Sequence, residues 1–203
     1  MYTLLSGLYR HLTRREEFSV VIVGLDNSGK TTLLERIKTL FGSKERSLRP
    51  EQIVPTVGLN LGRIELGRSR VRFWDLGGQR ELRELWDQYY PQCHAVVFVV
   101  DAADPDRLDE VKEADDNIGS SNRGSLGDIP VLMVANKMDR SDALPLENIK
   151  EVFNTVFVSM GARDSRVLPT SAINGDGVRA AVEWLFSRMD LNRMHHPPTI
   201  TNV

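Results

Sequence analysis

The chain has 203 residues, of which 41% are hydrophobic and 27% are charged. This length suits one compact domain with a full core, and no apolar stretch is long enough to predict a membrane span. The 26 basic and 28 acidic residues give a net charge of -2, so overall charge does not favour nucleic-acid binding. A single cysteine, Cys93, excludes an intrachain disulfide and is typical of a cytoplasmic protein.

The first predicted element is an amphipathic helix over residues 1–15. Its apolar side chains recur at i, i+3 and i+4 spacing, and basic side chains gather at its end. Such a helix can lie in a membrane interface or dock into a groove on its own domain, and the sequence leaves both open. Position 2 is Tyr2 and not glycine, so N-myristoylation is chemically excluded. The apolar positions are Met1, Leu4, Leu5, Leu8, Tyr9 and Leu12.

A phosphate-binding loop follows the first predicted strand. Residues 24–31 read GLDNSGKT and lie between an apolar run at 18–23 and a helical pattern at 29–40. In such a loop the backbone N–H groups face a polyphosphate, Lys30 reaches the β- and γ-phosphates, and the Thr31 hydroxyl ligates magnesium. An ordinary glycine turn does not need Lys-Thr at its end, so the loop predicts a nucleoside triphosphate site. The predicted phosphate-contacting residues are Gly24, Asp26, Asn27, Ser28, Gly29, Lys30, Thr31 and Thr32.

Two further segments supply candidates for sensing the third phosphate. In PTVG, the hydroxyl of Thr56 can complete a magnesium shell when a γ-phosphate is present. In WDLGGQ, Asp75 can hold the magnesium shell through water and the Gly78 N–H can reach the γ-phosphate. Gln79 can orient an attacking water, so Gln79 and Lys30 are the candidate catalytic residues.

A second motif distinguishes the base. The sequence Asn136-Lys137-Met138-Asp139 follows a predicted buried strand, at the edge of the sheet that the phosphate loop also occupies. The Asp139 carboxylate can accept two hydrogen bonds from guanine, which adenine does not offer in that pattern. The Lys137 stem can lie over the ring, and Asn136 can tie this loop to the phosphate loop. Ser171 and Ala172, after a later strand, add a backbone contact to the base carbonyl.

Strand and helix patterns alternate along the chain, which predicts an α/β fold with helices on both faces of a mostly parallel six-stranded sheet. Two extended segments within residues 60–75 flank a Gly-Arg-Ser turn and predict a hairpin, which contributes one antiparallel strand. The predicted domain spans 16–190, with a glycine- and serine-rich surface loop over 119–128 and a flexible tail over 191–203. The predicted helices cover roughly 29–40, 82–90, 106–117, 146–158 and 177–189.

GLDNSGKT, PTVGLN, WDLGGQ, LWDQYY and NKMD, in this order and spacing, resemble the Arf branch of the small Ras-like GTPases. The resemblance extends to about residue 190, and within the branch the chain is most similar to a Golgi-associated, Arf-like member. It implies a single Ras-like P-loop GTPase domain that acts as a monomer. It also implies a switch that binds GTP or GDP with Mg²⁺, slowly hydrolyses GTP, and regulates membrane traffic.

The same resemblance implies a set of partners. These are a guanine-nucleotide exchange factor, a GTPase-activating protein, and effectors that meet the hydrophobic triad Leu59, Trp74 and Tyr89, where Leu59 replaces the phenylalanine commoner in Arfs. The N-terminal helix, with Met1 retained and acetylated, would attach the protein reversibly to the Golgi membrane or to a membrane receptor. The hairpin would slide in register when GTP binds and eject this helix.

Two other functions share the phosphate loop. A P-loop ATPase or kinase has no need for the N-K-x-D motif, which argues against that class. A GTP-binding scaffold without regulated hydrolysis stays open, because Gln79 shows a capacity for hydrolysis and not its use. No arginine is assigned to the γ-phosphate from the sequence, since the spacing does not aim Arg80 there, so slow intrinsic turnover is expected.

Overall fold

The computed structural model describes residues 14–43, 47–113, 129–160 and 164–202, with the side chains of 14, 155–160 and 202 excepted. The predicted N-terminal helix falls outside these residues up to position 13, and the predicted loop over 119–128 falls outside them entirely. None of the described helices combines the length and apolar content that crossing a bilayer requires.

Within the described residues, seven strands form one mixed sheet in the order β2-β3-β1-β4-β5-β6, with β7 beside the first residues of β1. The central strands β1, β3, β4, β5 and β6 run parallel, and β2 pairs with β3 as the predicted hairpin. The strands are β1 Arg14–Val23, β2 Leu59–Leu66, β3 Ser69–Leu76, β4 Ala95–Asp101, β5 Val131–Asn136, β6 Ser165–Pro169 and β7 Thr199–Asn202.

Helices cover both faces of this sheet. They are α1 Lys30–Leu40, α2 Trp86–Tyr89, a helical segment over 108–113, α3 Leu146–Met160 and α4 Val178–Leu191. The helix predicted over 82–90 differs, because α2 is a single turn between the 3-10 segments Arg80–Leu85 and Tyr90–Gln92. Proline at position 91 has no N–H to continue the helical ladder, and Trp86 is held by its indole N–H donating to the Gly77 carbonyl at 3.0 Å.

The core consists of two apolar layers, one on each face of the sheet. Alternate residues of β1 divide between them: Phe18, Val20 and Ile22 pack with α1 and α4, whereas Val21 and Val23 pack on the opposite face. Strands β4 and β5 are buried on both faces, so their continuous apolar sequences correctly predicted central parallel strands. This packing fixes the carboxyl ends of β1, β4, β5 and β6 at one edge, where the candidate site lies.

The C-terminal residues differ from the predicted flexible tail. Strand β7 pairs antiparallel with residues 14–17, with Glu16 opposite Ile200, so the sheet has seven strands and a second antiparallel pairing. The neighbouring β4 covers only residues 20–23 of β1, which leaves the start of β1 free to accept this strand. The first strand also begins at Arg14, two residues before the predicted domain boundary.

Candidate functional site

Two glycines allow the loop between β1 and α1 to pack tightly against neighbouring strands. Gly24 has φ 138°, and a Cβ there would lie 2.2 Å from the Val99 carbonyl oxygen. Gly29 has φ 92°, and its Cβ would lie 2.3 Å from Nδ2 of Asn136. Both positions combine a left-handed backbone with a close approach, which only glycine tolerates. The loop is therefore held against the ends of β4 and β5.

Lys30 presents a buried ammonium group at the start of α1. Its Nζ donates to the Leu25 carbonyl at 2.7 Å, across the loop. Burial lowers the pKa of Lys30 to about 8, although the carboxylates of Asp75 and Asp26 act in the opposite direction. A desolvated cation beside a loop of backbone N–H groups is suited to binding a polyphosphate.

Four polar side chains converge beside this lysine. The Thr31 hydroxyl donates to Oδ2 of Asp75 at 2.8 Å and lies 2.9 Å from the Thr56 hydroxyl. Asn60 donates to the same carboxylate oxygen at 3.4 Å. Burial raises the pKa of Asp75, whereas its hydrogen bonds lower it. The structure thus brings Thr31, Thr56 and Asp75 together, as the predicted metal site requires.

These oxygens fit a magnesium ion. Mg²⁺ prefers hard oxygen ligands and usually keeps several waters, with one or two carboxylates and the substrate phosphates completing its shell. Among the described residues, Oδ1 of Asp75 is buried and has no hydrogen-bond partner. A buried carboxylate oxygen without a partner is suited to accept a hydrogen bond from a magnesium-bound water.

A cavity of about 380 Å³ opens over the phosphate loop. This volume lies within the range of small-molecule sites in proteins. Its lining joins the phosphate loop to both segments predicted to sense the third phosphate. The lining residues are Asp26, Asn27, Gly29, Lys30, Thr31, Thr32, Ile53, Val54, Pro55, Thr56, Gly78 and Gln79.

Gly78 brings the second of these segments against the phosphate loop. A Cβ on Gly78 would lie 2.4 Å from the Asp26 backbone nitrogen and 2.5 Å from the Gly24 carbonyl oxygen. Any side chain at this position would therefore push the segment away from the loop. Gln79 follows immediately, is exposed, and lines the cavity, so its amide is free to reach a water there.

The predicted base-binding residues lie at the ends of β5 and β6. Asn136 donates from Nδ2 to the Ser28 carbonyl at 2.9 Å and accepts from the Ala172 N–H at 3.0 Å. The Asn136 side chain therefore connects its own loop to the phosphate loop, as predicted, and also to the loop at Ala172. Lys137 adopts φ 65° and pairs with Asp101 at 2.6 Å, which holds its stem across the strand ends.

The remaining base-binding candidates are positioned differently. Asp139 is exposed to solvent, whereas Ser171 is buried and accepts a hydrogen bond from the Asn174 N–H at 3.0 Å. Among the described residues, the lining of the 380 Å³ cavity belongs to the phosphate side and includes none of the base-binding candidates. Asn136 is the link between the two parts of the site.

Several residues at the site were missed by the sequence reasoning. Asn60 reaches Asp75 because the two stand opposite each other in the hairpin, which the predicted hairpin itself could have indicated. Arg83, Arg107 and Glu110 form a chain of contacts between Gly78 and Asp26. Arg107 and Glu110 have the i, i+3 spacing of a helical ion pair, but their link to the phosphate loop depends on the tertiary fold.

The predicted triad for partners is only partly at the surface. Trp74 is 9% exposed and packs edge-on against Tyr89, with ring centroids 5.4 Å apart. Leu59 is exposed, and so are Val54 and Val57, the latter by 84%. The apolar surface of this region is therefore centred on the segment before the hairpin.

Residues 4–189 of the chain match the ADP-ribosylation factor family. The chain belongs to the Arf family of small GTPases. It is 44% identical over 198 residues to ADP-ribosylation factor-related protein 1 of Rattus norvegicus, covering 98% of this chain and 97% of that protein. It is 42% identical over 199 residues to ADP-ribosylation factor-like protein 3 of Saccharomyces cerevisiae, covering 98% of each.

A solved structure agrees with the fold of this Arf-family chain. The Arl6 BBS3 small GTPase from Trypanosoma brucei, solved with the bound nucleotide analogue GppNp, superposes with a TM-score of 0.74 at 31% identity. The match covers 87% of this chain and 99% of the other. The predicted Ras-like fold, GTPase activity and cofactors, GTP or GDP with Mg²⁺, are confirmed. Membership of a small GTPase family also implies exchange factors, activating proteins and effectors as partners.

Proposed function

We propose that this Arf-family GTPase is a switch that regulates membrane traffic at the Golgi, through membrane and effector binding that depends on the nucleotide. The observation that carries the proposal is the contact of Thr56 with Thr31 at 2.9 Å. This contact connects the segment before the hairpin to the phosphate loop. The hairpin strand β3 pairs with β1, and β1 begins at Arg14, within the last two residues of the predicted amphipathic segment.

The roles of the site residues follow from their positions. Lys30 and the backbone N–H groups of residues 24–32 bind the β- and γ-phosphates. Thr31 and Thr56 would hold a magnesium ion, and Asp75 would hold it through water; when bound, the ion would supply positive charge beside the phosphates. The Gly78 N–H binds the γ-phosphate. Gln79 orients a water for in-line attack, and Lys30 stabilises charge on the phosphate oxygens.

Guanine is the base that the second loop suits best. Asp139 is free to accept two hydrogen bonds from the base edge, because no described ion pair occupies its carboxylate. The stem of Lys137 lies over the ring, and the backbone of Ser171 and Ala172 contacts the base carbonyl. The hydrogen bond from Asn136 to the Ser28 carbonyl fixes the position of this loop relative to the phosphate loop.

Membrane attachment is coupled to the nucleotide through the hairpin. In the GDP state, the segment before β1, residues 1–13, occupies a groove near the hairpin. When GTP recruits Thr56 and Gly78, the hairpin slides along β1 and the segment is released to the membrane. The apolar face of that segment and its basic end are suited to an interface with anionic lipid.

The partners follow from the same surfaces. Effectors meet Leu59, Trp74 and Tyr89, and the exposed Val54 and Val57 extend this apolar surface. The protein is a monomer that cycles between the cytoplasm and the trans-Golgi membrane. An acetylated Met1 and a membrane receptor assist the N-terminal segment.

Liposome flotation tests this proposal. The full chain and a chain lacking residues 1–13, each loaded with GDP or with a non-hydrolysable GTP analogue, are floated with vesicles that contain anionic lipid. The truncation keeps all of β1, so both chains should bind nucleotide equally. Flotation of only the full chain with the GTP analogue supports the proposal. Equal flotation in both nucleotide states would exclude nucleotide-gated attachment.

A further inference from the structure

A continuous series of side-chain contacts joins the Gly78 segment to the phosphate loop. Arg83 donates from Nε to the Gly78 carbonyl at 3.1 Å and from Nη2 to Glu110 Oε1 at 2.6 Å. Arg107 donates from Nε to Glu110 Oε2 at 2.8 Å and from Nη2 to Asp26 Oδ1 at 2.7 Å. Glu110 is the central member, because each of its two oxygens accepts from a different arginine.

The first and last residues in this series of contacts, Gly78 and Asp26, meet at the γ-phosphate side of the cavity. Arg107 also donates from Nη1 to the Asp26 carbonyl at 3.1 Å, so it holds both the backbone and the side chain of that residue. Gly78 packs against the Asp26 backbone nitrogen from the other direction. The carbonyl that Arg83 binds belongs to the residue proposed to meet the γ-phosphate, and it directly precedes Gln79.

The two arginines and two carboxylates of this series of contacts all stay charged at physiological pH. The two guanidinium groups hold the pKa of Glu110 at about 2, well below its ordinary value. Glu110 also raises the pKa of Arg107, with a further contribution from Asp26. Arg83 is largely shielded from solvent, with 11% of its side chain exposed, so its pairing with Glu110 is less screened than a surface ion pair.

We propose that Glu110 is a positioning residue that latches the Gly78–Arg83 segment onto the phosphate loop and thereby favours GTP over GDP. The latch holds the Gly78 backbone where a γ-phosphate can accept its N–H. GDP has no γ-phosphate, so it gains nothing from this arrangement. The inference rests on the role proposed for Gly78 at the γ-phosphate and is independent of the proposed membrane function.

Nucleotide dissociation tests the latch. Rates are measured by fluorescence for N-methylanthraniloyl GDP and for the corresponding non-hydrolysable GTP analogue, with excess magnesium. The variants are Glu110→Gln, Arg83→Gln and the double variant. Since a hydrogen bond between charged groups is lost, each single variant should release the GTP analogue about tenfold faster. GDP release should change by less than about twofold, because the latch acts on the third phosphate.

The double variant separates a shared contact from two independent ones. If Arg83 and Glu110 act through each other, the double variant should release the GTP analogue no faster than the more affected single variant. Arg83→Gln breaks the same contact from the other end, so it keeps the test valid if Glu110→Gln folds poorly.

Asp109→Asn is the matched control. Asp109 precedes Glu110 on the same helical segment, carries the same charge, and pairs with Lys112 in solvent at 2.8 Å. Its variant should match the wild type for both nucleotides. The latch is overturned by equal acceleration of GDP and GTP-analogue release, by multiplicative effects in the double variant, or by an equal response to Asp109→Asn.

Discussion

At the residue scale, Lys30 gives the site a dependence on pH. Burial lowers its pKa to about 8 in the protein alone, and phosphate oxygens beside the ammonium group would raise it. The nucleotide complex therefore binds more protons than the free protein above about pH 8, so affinity falls as pH rises. We expect GDP to bind about fourfold more weakly at about pH 8.5 than at about pH 7. Titration calorimetry measures this change.

Proton uptake provides the control for this expectation. At about pH 8.5, the binding enthalpy should depend on the ionisation enthalpy of the buffer, because the complex takes up part of a proton. At about pH 7, Lys30 is already mostly protonated, so the proton uptake that it causes should be much smaller than at about pH 8.5. Constant affinity across the range would show that Lys30 does not titrate there.

Gln79 can be tested without disturbing the fold. Its side chain is exposed, so Gln79→Leu should leave affinity for a GTP analogue unchanged. Single-turnover GTP hydrolysis should fall by about a hundredfold if the amide positions the attacking water. Arg80→Ala, at the next residue, which is also exposed, is the control and should hydrolyse at the wild-type rate. Equal rates for Gln79→Leu and the wild type would remove Gln79 from the mechanism.

At the element scale, the hairpin can slide only in certain steps. A shift of one residue would exchange the faces of β3 and expose Val71 and Phe73, which are buried in the apolar layer that includes α1. A shift of two residues keeps these side chains in the core and moves the hairpin by roughly 7 Å along β1. The structure shows the register in which Ser69 is opposite Glu16 and Thr56 meets Thr31.

Spin-label distances test this slide. Labels at Arg68, in the hairpin turn, and at Glu147, at the start of α3, should report a distance that differs by several ångströms between the GDP and GTP-analogue states, since the shift is roughly 7 Å. A Glu147 and Glu183 pair, on α3 and α4, should stay unchanged. Cys93 should not react with the label, because it is buried and its pKa is raised to about 12. Identical Arg68 distances in both states would rule out the slide.

The elements differ in how much their local sequence determines them. The phosphate loop, the hairpin and the strand before Asn136 were predicted because each is specified by neighbouring residues. The short α2 was predicted as part of a longer helix, because apolar spacing alone does not show where Pro91 interrupts the ladder. The contacts of Arg83 and Arg107 with Glu110 span 27 and 3 residues, and Arg107 reaches Asp26 across 81, so only the folded chain aligns them.

At the scale of the whole molecule, the main surprise is the seventh strand. Four residues with one apolar side chain at their centre, Ile200, carry too little pattern to predict a strand. Thr201 contacts the Arg15 carbonyl across 186 residues, and His94 contacts the Pro197 carbonyl at 3.1 Å. These contacts depend on the length of β1 that β4 leaves uncovered, which is a property of the assembled sheet.

The pairing of Arg14 with Asn202 places the two ends of the domain in one corner. A fluorescent protein or affinity tag fused at the C-terminus would therefore lie beside the first residues of β1. An internal fusion in the turn at Arg68 would obstruct the hairpin instead. The adjacent ends also make the domain a candidate for circular permutation, because a short linker would bridge residues 202 and 14 without strain.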